Sequence, residues 1–261
     1  MRRLIGFPCA GETLVGTLDQ SEGRTGLLIV SGGNELRIGA HRGMADLAGR
    51  LAAAGVPVFR YDRRGIGDST GVNAGFEGSA PDLAGAAATF CAEGGITRLV
   101  AFGNCDAASA LALFHACCGI DALALSNPWI GGGGEDDMPA SAAIRARYAE
   151  RLRDPKEWLR LLRGGVDIRK LAGGLLKVAH SQSEDHSLLD RMATALAASS
   201  IPTTILLAER DNTAIAFSDA WKTQALAASI PIESLDSASH SYAGAADKDW
   251  LFEQLLDATH P

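Results

Sequence analysis

The chain has 261 residues, with 24 Lys and Arg against 31 Asp and Glu and a formal net charge of −7. Its 47% hydrophobic and 21% charged residues are a globular composition, which excludes a disordered or fibrous chain. The acidic balance lacks the basic face that a nucleic-acid partner needs, and no apolar run approaches the ~18 residues of a membrane span.

At about 100–200 residues per domain, the length allows one large domain or two small ones. Pro8 and Glu12 interrupt the start too early for a secretory apolar segment, so a cytoplasmic protein is expected. Five cysteines (Cys9, Cys91, Cys105, Cys117 and Cys118) include no C-x-x-C pair. That spacing suits neither a disulfide framework nor a zinc site, and no metal is expected.

Leu4–Phe7 and Thr13–Leu18 read as two short strands around a turn at Pro8–Gly11, an antiparallel hairpin at a sheet edge. Gly26–Val30 is a continuous apolar run of strand length, ending in Ser31-Gly32-Gly33-Asn34. Met44, Leu47, Ala48 and Leu51 follow at helical spacing, and Gly55 closes that helix. Then come a strand at Val56–Tyr61, a helix at Pro81–Cys91, a strand at Arg98–Phe102, a helix at Asp106–Cys118 and a strand at Ala122–Ser126. Strands apolar throughout, alternating with helices, imply a parallel sheet covered on both faces. From Asn127 to residue 200 the alternation stops: Pro128 and a run of glycines lead into helical patterns containing Ile144, Trp158 and Leu161. The alternation resumes with a strand at Thr203–Ala208, a helix through Trp221, a strand at Pro231–Leu235 and a helix at Asp247–Asp257.

The sharpest local signal is Gly103-Asn104-Cys105-Asp106-Ala107, where a strand ends and a helix begins. Small residues two positions either side of a nucleophile are what a nucleophile elbow requires, here as G-x-C-x-A in place of G-x-S-x-G. A cysteine at a helix N-terminus beside a histidine is a competent nucleophile, and the Asp106 amide would face a developing oxyanion. Such a nucleophile needs a base, and the base needs an orienting carboxylate. Asp211 falls just past one late strand and His240 just past the next, so Cys105, Asp211 and His240 stand in suitable chain order. Glu209 and Asp219 are the rival acids, and His115, His180, His186 and His260 the less suitably placed histidines. The Gly33 amide is the expected second oxyanion donor. Asn34, His41, Asn104 and Trp129 are candidate substrate contacts. The loop Arg60–Ser69 has no phosphate-binding glycine pattern and reads as a rigid turn tied by Asp–Arg hydrogen bonds.

Together these residues resemble the α/β-hydrolase superfamily, including the D-x-R-G-x-G-x-S loop at 62–69. More narrowly, and nearly end to end, the chain resembles the exosortase A system-associated hydrolase 1 family. That likeness lies in Gly32-Gly33, Gly39-Ala40-His41-Arg42, the 60–71 loop, residues 103–109 and the segment 148–170. Asn34 departs from the proline expected in its loop. The resemblance implies an α/β-hydrolase fold: a mostly parallel eight-stranded sheet with helices on both faces and a helical cap insertion. Residues 1–126 and 201–261 would form the core and 127–200 the cap.

The expected activity is cofactor-independent hydrolysis of an ester or thioester through a Cys105–His240–Asp211 triad. The alternatives are an acyltransferase in exopolysaccharide or lipid metabolism and a catalytically silent binding fold. Expected partners are a small acyl ester or thioester, with an acyl carrier and a homodimer left open. Cap arginines at 145, 147, 151, 153 and 160 would attract an acidic carrier or form a solvated helix face.

Overall fold

The computed structural model describes residues 1–131 and 188–260. Strands β1 (Arg2–Cys9) and β2 (Glu12–Asp19) pair antiparallel in full register, longer at both ends than the hairpin expected from the sequence. There follow β3 (Thr25–Val30), α1 (Gly43–Ala53), β4 (Val58–Tyr61), α2 (Ala80–Gly94), β5 (Arg98–Asn104), α3 (Asp106–Phe114) and β6 (Ala122–Ser126). Beyond the undescribed stretch come a helix over 188–197 (α4), β7 (Thr203–Ala208), α5 (Asn212–Trp221), β8 (Ile232–Leu235) and α6 (Ala245–Thr259). The helix expected to reach Cys118 stops at Phe114, where the chain tightens into a 3₁₀ turn at His115–Cys117. Gly119, at φ 63°, completes the stop.

The eight strands form one sheet in the order β1-β2-β4-β3-β5-β6-β7-β8. Every pair from β4 to β8 is parallel, and the β1–β2 hairpin adds the antiparallel edge. Side chains alternate between two apolar layers with the strand period of two. Leu28, Phe59, Ala101 and Leu125 enter the layer shared with α2, α3 and α5. Leu27, Val58, Val100 and Ala124 enter the opposite layer, under α1 and α6. A sheet buried on both faces accounts for strands without polar alternation. Leu189, Met192 and Leu196 of α4 lie in the first layer, so 188–197 packs with the core. The cap residues singled out in the sequence (Ile144, Trp158, Leu161, His180, His186 and the arginines) lie outside the described residues.

Chain order around β3 positions the site. The chain leaves β3 through α1 to β4 on one side, then returns through α2 to β5 on the other. Where connections diverge in this way, the loops at the carboxyl ends of the two strands splay apart and leave a crevice. The loop after β3 and the turn after β5 border it, with Val30 in register with Gly103.

The loop after β4 is a rigid turn, as its Asp–Arg composition implies. Asp62 is wholly buried and accepts from the Arg37 amide at 2.7 Å, the Asp68 amide at 3.2 Å and the Arg37 guanidinium. Arg64 donates its backbone N–H to Asp82 at 3.0 Å, tying the loop to α2. Asp62→Ala leaves the mostly buried Arg37 without its closest carboxylate. The expected loss is about 3 kcal/mol of unfolding free energy, measured by urea titration, because the Arg37 and Asp68 amides lose their acceptor inside the loop and each unpaired buried donor costs about 1–3 kcal/mol.

Candidate active site

Cys105 sits between β5 and α3 at φ 61°, ψ −129°, a conformation that L-residues rarely adopt. It costs about 1–3 kcal/mol and persists because its surroundings leave no alternative. A Cβ on Gly103 would lie 2.7 Å from the carbonyl carbon of Ala107. One on Gly32 would lie 2.7 Å from the carbonyl oxygen of Asn104. Both glycines are therefore demanded by the close approach of strand, turn and helix. The turn leaves Cys105 partly exposed at the start of α3, where backbone amides are unsatisfied and the helix dipole is positive.

His240 lies in the loop after β8, and its Nδ1 is 2.9 Å from Asp211 Oδ2. Asp211 caps α5: the same Oδ2 accepts from the amides of Thr213 at 3.1 Å and Ala214 at 3.2 Å. A carboxylate held by a helix N-terminus and mostly buried has one orientation. It selects the tautomer with the proton on Nδ1 and leaves Nε2 for chemistry. The His240 imidazole also lies close enough to Cys105 for the cysteine's charge to raise its pKa. The three sequence-predicted residues therefore come together, from three separate loops.

The oxyanion loop is more tightly engaged than its glycines suggest. The Gly33 amide donates to Asp106 Oδ1 at 2.7 Å, and the Gly33 carbonyl accepts from the Arg63 guanidinium. The second Asp106 oxygen lies 3.7 Å from Arg63. In this conformation the amide expected to meet an oxyanion already has an anionic acceptor.

The model of the alpha/beta hydrolase family matches residues 27–253, most of the chain. The chain belongs to that family. Among solved structures it resembles DcsB in complex with its substrate analogue, at TM-score 0.66 and 14% identity over 99% of both chains. An alpha/beta hydrolase from Sphaerobacter thermophilus gives TM-score 0.60 and 24% identity over 98% of this chain and 100% of that one. An esterase from Pyrococcus furiosus gives 0.63 and 13%, over 100% and 94% respectively. At such identities the likeness is one of fold. No curated protein sequence matches the chain.

The remaining candidates take different places in the hydrolase. Asn104 is tied to the histidine loop: its Nδ2 donates to the His240 carbonyl at 3.0 Å and its Oδ1 accepts from Asn127 at 3.0 Å. Asn34 is exposed and accepts from Asn73 at 2.8 Å. His41 is exposed at φ 50°. Trp129 stacks edge-on to Phe76 at 5.5 Å, and its amide donates to the Cys105 carbonyl at 3.2 Å. The rival acids Glu209 and Asp219 are exposed, and His115 is buried against the Leu111 and Ala112 carbonyls. No helix among the described residues is long and apolar enough to cross a membrane. Nor do they contain a cluster of three metal-ligating side chains.

Three contributors escaped the sequence reading. Buried Asn127 links Asn104 to β7 by accepting from the Ala208 amide at 2.9 Å. Arg63 grips the oxyanion loop. Glu35 lies close enough to feel the charges of His240 and Asp106; burial raises its pKa, partly opposed by the Ala40 amide. An acid directly after Gly-Gly-Asn in the first βα loop was the available signal for Glu35.

Burial by itself pulls the His240 pKa down, but the hydrogen bond to Asp211, with the charges of Asp211 and Cys105, holds it at about 10. Raised above the unfolded value, it lends stability fully below about pH 6.5, lost as pH climbs through about 10. With the ring 39% exposed, solvent screening keeps that contribution small. Histidine-selective NMR should place the His240 titration near pH 10. Asp211→Asn should lower the midpoint by about 1–3 pH units, the effect of removing an adjacent opposite charge.

Proposed function

We propose that this hydrolase cleaves ester or thioester bonds through an acyl intermediate on Cys105. The observation that carries the reading is His240, oriented by Asp211 and within charge-interaction range of a cysteine on a strained strand-to-helix turn. With Nδ1 held by Asp211, Nε2 is the nitrogen that takes the Cys105 proton, leaving sulfur as the attacking atom.

The Cys105 sulfur adds to the carbonyl carbon, and the carbonyl electron pair moves onto oxygen. That oxyanion meets the Asp106 amide at the head of α3 and the Gly33 amide. Gly33 then exchanges one anionic acceptor for another, so the exchange costs less than breaking an unreplaced charged hydrogen bond, about 1.5–3 kcal/mol. Displaced from Gly33, the Asp106 carboxylate still has Arg63 beside it. Collapse expels the alkoxide or thiolate, which takes the proton from His240 Nε2. Acylation also removes the Cys105 charge that had supported the imidazolium, so His240 becomes a better base when water must be deprotonated. Water adds, its proton passes to His240, and the carbon–sulfur bond breaks to release the acid.

The narrower likeness to exosortase-associated hydrolases rests on the sequence stretches at 32–42, 60–71, 103–109 and 148–170. It implies a cytoplasmic hydrolase, and places the acyltransferase alternative in exopolysaccharide or lipid metabolism.

Intact-mass measurement after mixing with aryl esters and acyl thioesters tests the reading. Wild type should gain one acyl group, transiently, and lose that ability after iodoacetamide. Cys105→Ala should form no adduct, and His240→Ala should lower turnover by at least ~10²-fold, the usual scale of general acid–base catalysis. Faster adduct decay with added alcohol than in water would replace the hydrolase with an acyltransferase. Absence of adduct and turnover across the panel would favour a silent binding fold.

A further inference from the structure

Cys117 and Cys118 stand outside the chemistry above, at the far end of the helix that begins beside Cys105. Adjacent side chains on a helix diverge by about 100°, so neighbouring cysteines in a regular turn do not face one another. Here the helix has given way to a 3₁₀ turn, and Cys118 leaves it at φ −116°, ψ 3°. Both thiols swing to the same acceptor, the Phe114 carbonyl, at 3.0 and 3.3 Å. Their sulfurs lie 3.6 Å apart. Cys117 is exposed and Cys118 half-buried, so the pair can be approached from solvent on one side.

A disulfide is the first use to consider, and geometry weighs against it. Consecutive Cα atoms are fixed about 3.8 Å apart, below the roughly 4.4–6.8 Å that disulfides prefer. Closing the bond would strain the backbone. An atom bridging the two sulfurs needs no such closure. With metal–sulfur bonds of about 2.3 Å, a tetrahedral or pyramidal centre separates its sulfurs by about 3.7 Å, a linear one by about 4.6 Å. The observed 3.6 Å fits the former. Among the described residues no third ligand completes a group of three His, Cys, Asp or Glu. The bridging atom must therefore bring its remaining bond with it.

We propose that Cys117 and Cys118 form a chelating site for a thiophilic trivalent metalloid, specifically a monosubstituted arsenic(III) compound. The reaction is a substitution without redox change. Two arsenic–oxygen bonds of R–As(OH)₂ break and two arsenic–sulfur bonds form. The two thiol protons leave with the two hydroxides as water. Burial and the hydrogen bond to Cys117 push the Cys118 thiol up to about 12, so at neutral pH it is a poor nucleophile for monofunctional reagents. The chelate effect, rather than the reactivity of either sulfur, gives the site its preference.

The test uses the full chain with Cys105→Ser, which removes the thiol of the candidate active site, and phenylarsine oxide as probe. Intact mass should show one phenylarsenic group replacing two hydrogens. The adduct should survive excess mercaptoethanol and be stripped by 1,2-ethanedithiol, and peptide mapping should locate it at 115–119. Adding Cys117→Ser, an exposed and structurally mild change, should reduce retention after mercaptoethanol at least tenfold. Cys118→Ser should do the same, with its folding checked by circular dichroism. No adduct, an adduct stripped by mercaptoethanol, or equal retention in the Cys117→Ser protein would each overturn the proposal.

Discussion

The backbone of Cys105 is the constraint on which the site depends. A φ of 61° cannot be relieved by local adjustment, because the carbonyl end of β5, the loop after β3 and the first turn of α3 converge there. Gly103 and Gly32 are the space left for that convergence, and fully buried Ala107 and Ala108 let α3 approach the sheet. Enlarging any of these residues would push the helix away and release the turn. The strain is therefore stored in the packing of two strands and a helix rather than in the cysteine itself.

A second layer of restraint orients what faces the cysteine. The His240 loop hangs from β8, a short strand at the sheet edge, so its position requires external ties. Asn104 supplies one, reaching from beside Cys105 to the His240 carbonyl. Asn127 links Asn104 to the Ala208 amide on β7, three residues before Asp211. Cys105, His240 and Asp211 are thus connected through two amide side chains as well as through the His240–Asp211 hydrogen bond. Buried amides with this many partners have little freedom, and losing one would leave several polar groups unpaired.

Much of this was legible in the sequence because the signals were local. Apolar runs ending in glycine marked the parallel strands, and Ala122–Ser126 and Thr203–Ala208 appear within the bounds read from the sequence. Asp211 and His240, picked from their positions just beyond strand ends, do lie within hydrogen-bond distance of each other. Asn104 was singled out as a substrate contact, and its bonds to Asn127 and His240, distant in sequence, could not be read there. The Gly33–Asp106 contact spans 73 residues and was equally invisible. Arg63 was read with its loop as structural, and its contact with the Gly33 carbonyl gives that reading a further consequence. The helix end at Phe114 was missed because Cys117 and Cys118 keep an apolar pattern while the backbone tightens.

The charges around the nucleophile explain why these non-local contacts matter. Asp106, Asp211 and Glu35 bring three carboxyl groups to one histidine and one nearby arginine. Three full negative charges would oppose both an anionic sulfur and an oxyanion. Each carboxyl is instead restrained differently: Asp211 by the α5 N-terminus, Asp106 by the Gly33 amide and Arg63, and Glu35 by burial that favours its neutral form. The elevated His240 pKa depends on this unequal treatment, since Asp211 and Cys105 supply its support. The Gly33 amide and Arg63 both lie against the Asp106 carboxylate, so any charge arriving beside Cys105 would be shared with them. The loop after β3 is therefore part of the electrostatic balance of the resting site, through the Gly33 amide and carbonyl.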